Sequence, residues 1–403
     1  MSKSPPKAGS TLFRSLRTAF LSLVGFYVVV ILLVMTPITQ TYLIYAHHID
    51  VFGYKKFDHP ENYGLAPGKT VNLKLQSADN NTIGAWFIFS DKFYHQQPFP
   101  PPSNLDLLFP QRALIPAALK SAPTIIFLHG NTGTRAHHLR TVVYTALTSR
   151  LGANVLAIDY RGFGDSEGKP TVEGVSKDAR AGWDYLINQG AKEEDVLVMG
   201  HSLGTAIAGL LSAQLAKDNI TPRGTVLMSP FSSVRTLVDH YYLFGFLPLL
   251  KPLSMIPLAP RLVTWSLVHG FDTLSLVPDI KSSVLIAHAD DDWDIPSTHS
   301  SVLFDAFLKP HLPEEASLPK NPLSPNDRDN YTQHHAARAS VRAQLVSTSV
   351  MDGFGVYEQM TPALAKKEGR QVALLRTEKG SHDIGRVEGV QDAIGRMFGF
   401  YEL

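Results

Sequence analysis

The sequence predicts an α/β fold, a mostly parallel central sheet with helices on both faces, carried behind a single membrane-spanning helix. Two observations set this expectation. From residue 124 onward, short apolar runs at 124–128, 155–158, 196–199, 225–228, 284–287 and 372–375 alternate with segments of helical length. Strands buried on both faces of a parallel sheet read in this way, as brief apolar runs spaced by helices. Nearer the start, no charged residue stands between Arg17 and Asp50.

Composition narrows the class. With 403 residues, 44% of them hydrophobic, the chain can bury one large core, and the pattern favours one domain with insertions over 60–403. The formal charge of +1 gives no field to attract nucleic acid, so none is expected as a partner. The chain has no cysteine, which excludes disulfides, thiolate catalysis and cysteine-ligated zinc.

The uncharged stretch predicts a transmembrane helix over 18–38, since ~20 apolar residues cross a bilayer. A signal peptide has a shorter apolar region of about 7–15 residues and a cleavage site, and none follows Pro37. A buried core helix would show a polar face. Lys3, Lys7, Arg14 and Arg17 precede the span, whereas Lys55 and Lys56 follow at a distance beside Asp50 and Asp58. That bias places tail 1–17 in the cytosol and the rest across the membrane. Sequons at Asn80, Asn219 and Asn330 agree with a lumenal domain and a glycoprotein.

After the span, 71–75 and 83–89 flank Asp79-Asn80-Asn81 and predict an antiparallel hairpin. A Pro-rich insertion follows at about 93–118. Between the later strands, residues 232–280 are aromatic and aliphatic (Tyr241, Phe244, Trp265) and broken by Pro248 and Pro252, which suits a cap over a lipid pocket or extra helices on the core. Residues 310–347, rich in Pro, Asn and Ser, predict a solvated loop.

The chemistry begins at Gly200-His201-Ser202-Leu203-Gly204. At a glycine usage of about 7% such a pattern has about a one-in-ten chance of arising in a chain this long, so context must carry it. It follows the apolar run 196–199 and opens the helical segment 205–215, the strand-to-helix elbow in which flanking glycines let the chain turn and expose Ser202. A serine hydroxyl needs an imidazole to take its proton, and the imidazole needs a carboxylate. On such a sheet the order is serine, acid, histidine. Beyond 284–287, Asp290, Asp291, Asp292 and Asp294 compete for the acid. Asp292 is chosen because it stands four residues before Pro296, in an Asp-x-x-Ile-Pro turn like the one that carries the acid in many such hydrolases. The base is His382, in Lys379-Gly380-Ser381-His382-Asp383, just after the last strand. Phe127-Leu128-His129-Gly130-Asn131 ends the first parallel strand, so the Asn131 N–H can join that of Leu203 in an oxyanion hole. The segment Asp159–Ser166 is read as a structural rim with an Asp–Arg contact. His47-His48 and His137-His138 lack further ligands at suitable spacing, so no metal and no cofactor is expected.

The motifs Leu128-His129-Gly130-Asn131, Asp159-Tyr160-Arg161-Gly162-Phe163-Gly164-Asp165-Ser166, Gly200-His201-Ser202-Leu203-Gly204-Thr205 and His288-Ala289-Asp290-Asp291-Asp292 stand in one order behind a single span. In this the chain resembles the membrane-anchored branch of abhydrolase-domain lipases, which hydrolyse monoacylglycerols and lysophosphatidylserine. The resemblance implies the α/β-hydrolase fold, a triad of Ser202, Asp292 and His382, and an endoplasmic-reticulum protein whose lumenal domain acts on single-chain lipids. The Pro-rich and polar insertions depart from that pattern without touching the triad.

The expected activity is therefore hydrolysis of a lipid carboxylic ester through an acyl-enzyme on Ser202, with no obligate protein partner. A thioesterase or peptidase would use the same triad. A non-catalytic membrane adaptor is the reading from another class, and retention of all three triad members argues against it.

Overall fold

A computed structural model describes residues 8–49, 53, 55–101, 108–240, 265–315 and 325–401. Its centre is a ten-stranded sheet of β1 (Thr70–Gln76), β2 (Thr82–Ile88), β3 (Thr124–Leu128), β4 (Asn154–Ile158), β5 (Val196–His201), β6 (Gly224–Met228), β7 (Val284–Ala289), β8 (Val346–Met351), β9 (Gly355–Met360) and β10 (Val372–Thr377). The order across the sheet is β1-β2-β4-β3-β5-β6-β7-β10-β9-β8. From β4 through β10 in that order the strands run parallel, and antiparallel hairpins close both edges.

Alternate residues of each parallel strand feed opposite cores. Ile126 and Leu128 of β3 and Val196 and Val198 of β5 join the cluster around Trp183, while Ile125, Phe127, Leu197 and Met199 join the one around Tyr144. Because both faces are dry, the strands are mostly apolar, with polar residues such as Thr124, Asn154 and Thr377 at their ends, and each fully buried Leu, Ile or Phe contributes about 1.5–3 kcal/mol. All the parallel strands point their C-terminal ends to one edge, where open α/β sheets bind ligands.

The expected span shifts in register. A helix, α1, covers Ala8–Val34, and the stretch of it long and apolar enough to cross a membrane is Phe13–Val34, which takes in Arg14 and Arg17, against the expected 18–38. Pro37 opens a second helix, α2 (Pro37–Tyr45), because proline lacks an N–H and drives the preceding Thr36 to an extended conformation (φ −78°, ψ 140°). The Thr36 hydroxyl accepts the Thr39 N–H and caps the new helix.

The expectation of a loop over 310–347 is corrected. It contains a 21-residue helix, Pro325–Leu345, with no buried residue, followed directly by β8 and β9. A helix polar on every side has no apolar periodicity to reveal it. The Pro-rich insertion ends in the helix Ile115–Ser121, which buries Ile115, Ala118 and Leu119, while 102–107 lie outside the described residues. So does 241–264, the centre of the expected cap.

The Asp159–Ser166 rim is an ion-pair network. Arg135, fully buried, holds Asp159 at 2.6 Å and Asp165 at 2.8 Å, and Arg161 holds Asp178 at 2.7 Å and Asp79 at 2.9 Å.

Candidate active site

Four strand ends supply the site. At the end of β5 the chain turns at Ser202 (φ 53°, ψ −121°) and enters the helix Leu203–Lys217. A non-glycine residue in that region stores about 1–3 kcal/mol of strain, which persists only where the surroundings impose it. They do so here through close packing. A Cβ on Gly204 would lie 2.0 Å from the Leu128 carbonyl oxygen, and one on Gly200 would lie 2.2 Å from that of Gly204. The two glycines flanking the turn are thus steric requirements.

The loop after β7 carries Asp292, whose side chain is buried, and the loop after β10 carries His382. His382 Nδ1–H donates to Asp292 Oδ2 at 2.8 Å. The backbone N–H groups of Asp294 and Ile295 donate to the other oxygen, Oδ1, at 2.9 and 3.0 Å. His288 adds a contact to Oδ2 at 3.1 Å. Since the same Nε2 also faces the Ile295 carbonyl at 2.9 Å, it bears the proton, and the Ser300 hydroxyl donates to Nδ1. Burial pushes the Asp292 carboxyl up, but the bonds from His288 and His382 outweigh it and hold the group well below the usual carboxylate range. For His382 burial pulls down, while the hydrogen bond and charge of Asp292 outweigh it and leave the imidazole raised.

The competing aspartates have other partners. Asp290 accepts the Ser297 hydroxyl, and Asp291 accepts the Ser381 N–H at 2.8 Å, steadying the histidine loop from one residue away. Asp294 is exposed.

Two residues that the motifs did not single out fix the His382 backbone. Its carbonyl accepts His201 Nε2–H and the Ser229 hydroxyl, both at 2.9 Å. Burial, and after it repulsion from His382 whenever that imidazole takes a proton, lower His201 to about 4. The signal for His201 was its place inside Gly-x-Ser-x-Gly, which ties any side chain there to the Ser202 turn. Ser229, at φ 50° past β6, carried no such signal.

Gly130 abuts Ser202, so that a Cβ there would lie 3.0 Å from the serine's own. Among the described residues, neither the Asn131 nor the Leu203 N–H donates to an acceptor, and the Ser202 hydroxyl has no partner. Leu203 is the first residue of its helix, where backbone N–H groups are free and the dipole favours negative charge. The Arg140 guanidinium, which sequence reasoning missed, donates to the carbonyls of Gly130, Asn131, Thr132 and Thr134 at 3.2, 3.2, 2.6 and 2.7 Å. Asp292, Asp294 and His382 offer ligand atoms within 4.8 Å of one another. The two Asp292 oxygens already take four donors between them, which leaves that carboxylate saturated.

Comparison with known proteins follows the same lines. Residues 125–357 match the model of the alpha/beta hydrolase family. The chain is 30% identical over 302 residues to the lysophosphatidylserine lipase ABHD12 of Rattus norvegicus, covering 71% of this chain and 68% of that protein. It is 31% identical over 289 residues to the protein of that name from Gallus gallus, covering 70% of each. An alpha-beta hydrolase crystal structure from Vibrio vulnificus superposes with a TM-score of 0.51 at 16% identity over 90% of this chain and 94% of that one, a likeness of fold alone.

Proposed function

This chain belongs to the alpha/beta hydrolase family, and from that premise we propose that it cleaves carboxylic esters of single-chain lipids, monoacylglycerol or lysophospholipid, through an acyl-enzyme on Ser202. The observation that carries the reading is the buried Asp292 bonded at 2.8 Å to His382, on the same sheet edge as the strained turn that presents Ser202. Relatives bearing the name lysophosphatidylserine lipase support a lipid substrate, and the apolar helix Phe13–Val34 fits a membrane anchor.

In the acylation step the Ser202 hydroxyl gives its proton to His382 Nε2 as its oxygen attacks the ester carbonyl. The resulting oxyanion is received by the N–H groups of Asn131 and Leu203. Asp292 holds the imidazole in the tautomer with Nε2 free and stabilises the imidazolium that forms. As the tetrahedral species collapses, the bond to the alcohol breaks and His382 returns the proton to the leaving oxygen. Water then attacks the acyl-serine by the same route and frees the acid. Catalytic hydrogen bonds are often open without substrate and close in the Michaelis complex, consistent with the unpartnered Ser202 hydroxyl.

Lys3 and Lys7 before the helix and Arg14 and Arg17 in the first turns of its apolar segment support a cytosolic N-terminus with the hydrolase domain across the membrane, and the resemblance to the membrane-anchored lipases suggests the endoplasmic reticulum. Asn80, Asn219 and Asn330 are all exposed and open to glycosylation. Two experiments test the reading. Purified full-length protein is assayed on lysophospholipid, monoacylglycerol, acyl thioester and peptide panels, where turnover of the first two and its loss in Ser202→Ala are expected. Protease treatment of sealed microsomes is expected to spare the domain, and its digestion would reverse the topology.

A further inference from the structure

We propose that α2 and the turn after it are a positioning element for the reaction, holding the oxyanion loop from outside as Arg140 holds it from within. The inference rests on the serine-hydrolase reading of the site. Past Asn131 the loop runs through two successive left-handed residues, Thr132 at φ 57° and Gly133 at φ 59°. Threonine does not adopt that conformation unaided, so outside contacts must maintain it. Those contacts come from the chain just after the apolar helix. The Thr132 N–H donates to the Tyr45 carbonyl at 3.0 Å, and the Gly133 N–H donates to the Ile49 carbonyl at 3.2 Å.

The strut is itself anchored. Gln40, 3% exposed, uses both ends of its amide on one stretch of backbone, donating to Ser266 O and accepting the Val268 N–H, each at 2.8 Å. Thr41 donates its hydroxyl to Pro37 O and accepts His269 Nε2–H at 2.7 Å. Tyr45, wholly buried, sets its ring edge-on to His269 and Phe271. Helix α2 thus ties the end of the apolar helix to the oxyanion loop and to segment 266–271. The face it turns outward is apolar, with Ile38, Tyr42 and Leu43 exposed. Strut and triad are separate: none of these bonds reaches Asp292 or His382.

The test uses the full chain in detergent micelles, with p-nitrophenyl acetate as a soluble ester that needs no bilayer. Gln40→Ala is expected to lower kcat about tenfold, the scale for an oxyanion donor displaced but not removed. KM is expected to stay within about twofold and the pH limb set by His382 to stay in place, because the strut acts on the loop alone. Hydrogen exchange should quicken at Thr132 and Gly133 while the Leu203–Lys217 amides keep their protection. Thr41→Val, which keeps volume, should move kcat and exchange the same way by less, and it decides the matter if Gln40→Ala loses protection throughout. Unchanged kcat in both variants, or a fall in kcat without faster exchange at 132–133, overturns the proposal. A wild type that hydrolyses no ester overturns the functional reading instead, a result told apart because a failed strut leaves the wild type active.

Discussion

Asp292 and His382, 90 residues apart in the chain, meet through a 2.8 Å hydrogen bond whose carboxylate is wholly buried and whose imidazole is partly open. The carboxylate is held by two backbone N–H groups and His288, so the imidazole is aimed by a fixed partner. Several outcomes follow from how that pair and its supports are built.

The imidazole must be neutral to accept a proton, and Asp292 raises its affinity for one. Activity is therefore expected to rise with pH along a limb centred above the ordinary histidine value of about 6.5. In Asp292→Asn the charge that raised His382 is gone, so the limb should move to lower pH while kcat falls by on the order of 10⁴ as the tautomer is lost. A pH–rate profile of both proteins checks the direction, and a limb that stays in place would contradict it.

His201 steadies the His382 carbonyl but shares it with Ser229. His201→Phe leaves that carbonyl one donor, so the loss is one hydrogen bond, about 1 kcal/mol or roughly fivefold in kcat. KM is expected to be unchanged. A loss as large as that of a triad member would mean that His201 touches the reacting atoms.

Gly204→Ala places a methyl group within 2.0 Å of the Leu128 carbonyl oxygen, on backbone that cannot yield without parting β3 from the elbow. Destabilisation above about 3 kcal/mol is expected, read as loss of soluble protein or of the thermal transition. A stable, active variant would show that the turn can move away from the Leu128 carbonyl.

Arg135 neutralises Asp159 in the interior, where both are fully buried. Arg135→Met strands that carboxylate and is expected to cost about 3–5 kcal/mol, whereas Arg135→Met with Asp159→Asn should recover part of the loss. Denaturant unfolding of the two variants makes the comparison.

Much of this arrangement was legible in the sequence because burial on both faces leaves a plain mark. The runs at 125–128, 196–199 and 372–375 are apolar at every position, and Ser202 and His382 stand in the turns that follow the last two. Asp292 was picked out by its distance to Pro296. What stayed hidden has equally physical reasons. The helix Pro325–Leu345 has no fully buried residue, touching the core only near its end through Arg342 and Leu345, and β8 is exposed beyond Val346, so neither carries a hydrophobic period. Gln40 reads as an oddity at the end of an apolar stretch until folding brings it to Ser266 and Val268, 226 and 228 residues away. Arg140 acts on backbone carbonyls, which no motif records.

The most direct measurement is mass-spectrometric mapping of the adduct formed when the purified full-length protein meets a fluorophosphonate. The probe is expected on the Ser202 peptide in the wild type, absent in Ser202→Ala and much slowed in His382→Ala. An intact wild type that stays unlabelled, or takes the probe on another residue, would contradict the nucleophile and the site built around it.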